Sequence, residues 1–144
     1  MFLAPVFASE IPSVWHKVKP LVEKALKHTH GEQISSDVLE SLLTKQYILF
    51  AGIEAQELAS ICIAEVIVYP RKKVLHIPIA ATESGRDFEL WRDHFSVVED
   101  FGKAMGCTSV SAWTRKGFAK KLKWTHQYTV LTKELCQPKK KEKQ

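Results

Sequence analysis

Three consecutive pieces decide the fold: LASICIAEVIVY (58–69), PRKK (70–73) and VLHIPIAA (74–81). The first and third are apolar runs of strand length. The second is a short polar connection with Pro70 at its corner, which predicts an antiparallel hairpin. A polar loop, Thr82 to Arg86, follows. From Asp87 onward Phe88, Trp91, Phe95, Val98, Phe101 and Met105 recur every three or four positions, predicting one long amphipathic helix. Gly106 stands where a C-cap glycine would close it.

Upstream of the hairpin, Val14, Trp15, Val18, Leu21, Val22, Ala25 and Leu26 have helical spacing, with Ser13 in position to cap the helix and Pro20 to kink or divide it. Asp37-Val38-Leu39-Glu40 carries a capping-box pattern and opens a second helix through Lys45. Tyr47 to Ile53 reads as a strand, and Glu54 to Glu57 as a turn. Downstream, Thr108 to Trp113 is a short strand, Thr114 to Lys123 a basic helix, and Thr125 to Leu135 a closing strand. The first residues, MFLAPVFA, are apolar but lack a basic segment and contain Pro5, so they read as an arm or an edge strand and not as a signal peptide. The resulting organisation is an arm over 1–10, one mixed α/β (α+β) domain over 11–136 with a largely antiparallel sheet, and a disordered lysine-rich tail over 137–144.

Composition sets the bounds. At 144 residues, with 45% hydrophobic and 26% charged residues, the chain has the make-up of an ordinary globular domain. No apolar run reaches the ~18 residues that a membrane helix needs. The formal charge is +5, but Lys139, Lys140, Lys141 and Lys143 against Glu142 account for +3 of it, leaving +2 for the body. A strongly basic body is thereby excluded. Cys62, Cys107 and Cys136 form no CxxC pair and read as reduced thiols. His28 and His30 have no third ligand nearby, and no metal site is expected.

The element order resembles that of the GNAT (GCN5-related N-acetyltransferase) fold, in which two helices precede antiparallel strands and a long helix follows the fourth strand. Phe118-Ala119-Lys120-Lys121-Leu122-Lys123-Trp124 stands where that family carries a phrase like F-Y-x-K-x-G-F, and Lys133-Glu134-Leu135 resembles a common closing phrase. The wording around Trp15, Tyr69-Pro70-Arg71 and Gly106-Cys107 resembles small GNAT-like proteins encoded by tailed bacteriophages.

The resemblance implies a loop patterned Q/R-x-x-G-x-G/A that holds acetyl-CoA by backbone N–H groups at a helix start. The best register is Thr82-Glu83-Ser84-Gly85-Arg86-Asp87, where only Gly85 matches. Asp87 places a carboxylate where the diphosphate would lie, which Arg86 offsets in part. The family also bonds the pantetheine arm at a bulge in its fourth strand. Pro78 suits a bulge but has no N–H to offer. The tyrosine of the phrase, which protonates the leaving thiolate in many members, is replaced by Ala119.

The favoured reading is therefore a catalytically degenerate GNAT-like protein of a tailed phage, virion-associated or active in assembly. It would have no cofactor, other virion proteins as partners, and the virion or the bacterial host cytoplasm as its place. The alternative is an active acetyl-CoA-dependent N-acetyltransferase acting on an amine. In it Gly85 and Arg86 hold the cofactor, Glu65 or His76 is the base, and Tyr128 is the acid. Arg115, Lys116, Lys120, Lys121 and Lys123, interleaved with Trp113, Phe118 and Trp124, form a candidate patch for anions or an acidic partner. With the tail, they are also the place for a weak nucleic-acid contact.

Overall fold

Phe2–Val6 forms β1, so of arm and edge strand the chain takes the second. It pairs antiparallel with β2, Ile48–Glu54, in the register Phe2 to Ile53 through Val6 to Leu49. A 3-10 turn, Ala8–Glu10, leads into α1, Ile11–Leu26. The computed structural model describes residues 2–83, 93–113 and 123–135. The chain divides into two compact units, Met1–Thr114 and Arg115–Gln144.

Two local expectations change in the helices. Ser13 does not cap α1; it lies in the first turn, and its hydroxyl donates back to the Glu10 carbonyl at 2.9 Å. Pro12 instead occupies the start of the helix, where its missing N–H has no intrahelical partner to lose. Pro20 sits inside α1 without dividing it. α2 runs Ser35–Leu43, two residues earlier than the pattern predicts. Asp37 is in its first turn, and its carboxylate accepts the Ile34 N–H at 2.9 Å.

The central hairpin forms as read. β3, Glu57–Val68, and β4, Lys73–Thr82, pair antiparallel, and the Tyr69 N–H donates to the Lys72 carbonyl at 2.8 Å across the turn. β5, Ser109–Ala112, then joins β4 in parallel. The five strands lie in the order β1-β2-β3-β4-β5, antiparallel except for the last pair. Between β4 and β5 the described residues hold α3, Ser96–Ala104. Asp93 to Phe95 form a turn directly before it, which corrects the helix expected at these three residues; its expected start at Asp87 lies outside the described residues. Gly106 closes α3 at φ +85, with the Cys107 N–H on the Gly102 carbonyl at 2.8 Å and the Gly106 N–H on that of Lys103 at 3.0 Å. This double closure is a Schellman cap, which needs a residue at positive φ.

Alternation along the strands gives the sheet two apolar faces. Leu49, Ile61, Ile63 and Ile79 pack with Val18, Val22, Val38 and Leu42 of α1 and α2. Phe50 and Leu75 point the other way, toward α3. There Phe50 meets Phe101 edge to face at 5.5 Å, and a Cβ on Gly102 would lie 3.3 Å from the Leu75 side chain.

Ala55 and Gln56 join β2 to β3 with φ of 54° and 66°, the signature of a two-residue type I′ turn that favours Asn-Gly. Substituting Ala55→Asn together with Gln56→Gly is expected to add about 1 kcal/mol of stability. A rise in the urea midpoint at unchanged slope checks it.

In the second unit only 123–135 is described. It carries no strand, which corrects the expected closing strand at Thr125 to Leu135. Tyr128, Val130, Leu131 and Leu135 are all exposed. Alternating apolar residues permit a strand, but a ladder also needs a partner. Most of the expected basic helix (114–122) and the tail from Cys136 lie outside the described residues.

Candidate functional site

The register between β3 and β4 slips once. Ile63 faces Ile79 and Glu65 faces His76, so the single residue Ala64 is opposed by two, Ile77 and Pro78. This is a β-bulge, and Pro78 sits in it. The same place ends the pairing with β5, whose last partner on β4 is Ile77. Beyond it, Pro78 to Thr82 has β3 on one side and, among the described residues, no strand on the other.

Beside the bulge the sheet carries a polar row. Residues directly opposite each other share a face, with Cβ atoms about 5 Å apart. Glu65 on β3 and His76 on β4 are such a pair, and Ser111 is the register partner of His76 on β5. The Ser111 hydroxyl lies 2.9 Å from His76 Nδ1. Trp113 sets its ring against the imidazole, centroids 4.6 Å apart and planes at 68°. On the β2 side stands Tyr47, whose hydroxyl and the Gln33 side-chain amide are 3.2 Å apart. Glu65 alternates in phase with Ile61 and Ile63, so the row lies on the face covered by α1 and α2.

Burial sets the electrostatics. His76 is 4% exposed, and its Nε2 has no hydrogen-bond partner among the described residues. Burial pushes its pKa below the ordinary histidine value, which keeps the ring neutral near pH 7. Burial raises Glu65. Tyr47 is raised chiefly by burial, with the Gln33 bond acting against this and the Glu65 charge adding to it. Burial likewise pushes the Cys62 thiol up, which makes it an inert core thiol.

The structure thus brings two sequence candidates, Glu65 and His76, into direct opposition. Tyr128 belongs to the second unit and is exposed; His126 Nε2 donates to its backbone carbonyl at 2.8 Å. Gly85, Arg86 and Asp87 lie outside the described residues, as do Arg115, Lys116, Ala119, Lys120 and Lys121; Lys123 is exposed in the second unit. Thr82 ends β4, and its carbonyl accepts Lys24 Nζ at 2.6 Å. Sequence reasoning missed Ser111, Tyr47 and Gln33 as neighbours of the pair. No spacing signal connects them: strand register brings Ser111 to His76, and Tyr47 and Gln33 come from the segments ahead of β2 and α2.

An open groove of about 640 Å³, lined by Lys17, Pro20, Leu21, Lys24, Glu57, Leu58 and Glu83, shares no residue with the row. Among the described residues, no cluster of His, Cys, Asp or Glu is placed to hold a metal ion. No described helix is long and apolar enough to cross a membrane.

Neither a family model nor a curated protein sequence matches the chain. Solved structures do. An aminoglycoside acetyltransferase from an uncultured soil metagenomic sample, in complex with sisomicin, is similar at TM-score 0.70 and 13% identity, over 94% of this chain and 95% of that one. The aminoglycoside N-acetyltransferase AAC(6')-Iy in complex with CoA gives TM-score 0.69 and 12% identity, over 93% and 94%. A ribosomal-protein-alanine N-acetyltransferase from Brucella melitensis biovar Abortus 2308 gives 0.70 and 8%, over 94% and 100%. The fold is that of the GNAT acetyltransferases. At such identities the likeness is one of fold.

Proposed function

We propose that the chain is a catalytically degenerate GNAT-fold protein of a tailed bacteriophage that works by binding other virion proteins, in the particle or during its assembly. The observation that supports it most is the place of Pro78. It occupies the bulge of β4 where the pairing with β5 ends. In the fold's enzymes that stretch of backbone bonds the pantetheine arm, and a proline there removes a donor. Thr82, Asp87 and Ala119 point the same way in sequence, each lacking the group that the family's cofactor loop or acid would supply. The phage assignment rests on the phrases around Trp15, Tyr69-Pro70-Arg71 and Gly106-Cys107.

Calorimetry of the full chain with acetyl-CoA tests the loss of chemistry, with Asp87→Ala alongside. Neither protein is expected to give a saturable heat. A micromolar dissociation constant for the unaltered chain would sink this reading. Immunodetection of the protein in purified particles tests the other half.

One observation favours an active acetyltransferase as the second reading: Glu65 and His76 stand opposite each other beside the bulge, with His76 Nε2 unpartnered among the described residues. A carboxyl raised by burial suits a general base that takes a proton from an amine. In this reading acetyl-CoA supplies the acyl group, Gly85 and Arg86 hold it, and Tyr128 is the candidate acid. The same calorimetry decides between the two.

A further inference from the structure

We propose that the neutral imidazole of His76 is the catch that holds β5 to the sheet, and that a proton taken up there releases the strand. The device is a pH-sensitive edge: β4 is covered from Val74 to Ile77 at neutral pH and bared as the medium acidifies. It depends on neither functional reading.

β5 is lightly held. It has four residues, its ladder runs to β4, and among the described residues no strand covers its other side. Ser109 is exposed and Val110, Ser111 and Ala112 are half-buried, so little apolar burial fixes the strand. A side-chain hydrogen bond crosses the middle of the pair, between His76 Nδ1 and Ser111 Oγ at 2.9 Å. Trp113, one residue beyond the strand and 67% exposed, sets its ring against the same imidazole. His76 is thus gripped from the β5 side by a hydroxyl and an indole together.

The far side of the ring decides what a proton does. Nε2 is buried and has no hydrogen-bond partner among the described residues. With the neutral ring's proton on Nδ1, Ser111 Oγ accepts it and Nε2 buries only a bare lone pair, which costs less than an orphaned N–H. A second proton lands on Nε2 and makes it a buried cationic donor without an acceptor. Once β5 moves away, water supplies the acceptor. The groups facing the ring are Glu65 from β3 and, from the β5 side, Ser111 and Trp113. α1 and α2, which cover this face, turn their charges outward: every titratable residue from His16 to Glu40 is exposed. Glu65 is the carboxylate among the facing groups, and burial makes its ionised form costly as well. The sign follows. Burial holds His76 below its ordinary 6.5 while β5 is in place, and detachment returns it toward that value, so release grows as pH falls through 6.5.

The test is amide hydrogen exchange of the full-length chain, read by 1H–15N NMR at pH 7.5 and 5.5 and corrected for the intrinsic rate at each pH. Protection of the amides bonded between β4 and β5 is expected to fall by up to about tenfold, since the lower pH lies one unit below 6.5. Protection of the amides bonded between β2 and β3 should fall less. His76→Gln should abolish this difference, and Glu65→Gln should keep it. Ser111→Ala leaves the ring in place and should lower β4–β5 protection about fivefold already at pH 7.5. Near-ultraviolet circular dichroism matching that of the unaltered chain confirms the fold of each variant. Equal β4–β5 protection at both pH values would overturn the proposal, as would Ser111→Ala without effect. A pH response that survives His76→Gln, or that disappears with Glu65→Gln, would overturn it too. The unaltered chain and Ser111→Ala decide the matter even without His76→Gln.

Discussion

Phe50→Ala is expected to cost about 3–5 kcal/mol of stability. Phe50 is fully buried on β2 between the strands that carry Pro5 and Cys62, its register partners. Truncation leaves a cavity at the middle of the sheet, on the face where α3 packs. It also removes the edge-to-face contact with Phe101, worth about 0.5–1.5 kcal/mol in its own right. Typical domains have only about 5–15 kcal/mol in total, so most of the margin goes. Urea unfolding measures the loss, and a double-mutant cycle with Phe101→Leu isolates the ring pair. A loss below about 1 kcal/mol would mean that β2 and α3 do not pack as described.

The second large effect concerns pH. Burial holds His76 below its ordinary value of 6.5, so the unfolded chain takes up this proton more readily than the folded one. The stability tied to the neutral ring is present above pH 6.5 and is lost as pH falls through the folded value. Glu65 works in the opposite sense. Its folded value lies above 4.5, so its contribution is present below that pH and is lost as pH rises through the folded value. On lowering pH from 7.5, the two slopes therefore oppose each other. The groups facing His76 are Glu65 from β3, whose own charge acts on Tyr47, and Ser111 and Trp113 from the β5 side. His76→Gln should lose less stability than the unaltered chain on going from pH 7.5 to 5.5, and Glu65→Gln should lose more. Urea midpoints at three pH values read the difference. Equal slopes for the unaltered chain and His76→Gln would contradict a buried neutral imidazole.

Much of the architecture was legible in the residues themselves. The hairpin at 58–81 announces itself by two apolar runs about a proline corner, and Gly106 marks the end of α3 through its positive φ. Pro78 was readable as a bulge residue because a proline cannot serve a continuous ladder. The helix starts were less legible, since capping patterns at Ser13 and Asp37 fit either the cap or the first turn. The candidate site was legible only by halves. Glu65 and His76 stand out as polar residues within apolar strands. Ser111 looks like any serine until the parallel pairing of β4 with β5 carries it to the imidazole across 35 residues of chain. The closing strand failed for a related reason: periodicity reports which faces are apolar and says nothing of which neighbour supplies the hydrogen bonds.

The strand order has a kinetic side. β2, β3 and β4 are joined by tight turns, so their ladders form between residues close in the chain. β1 and β5 close the sheet only after long excursions, through α1 and α2 on one side and α3 on the other. Loop closure makes such outer pairings late to form and early to open. β5 contributes four residues to its ladder against seven or more in β2, β3 and β4. Local opening at this seam, of the kind that hydrogen exchange detects, would release Ser111 and Trp113 together while the central strands stay paired. The hydrogen bond of the His76 imidazole thus runs to the strand that is cheapest to move.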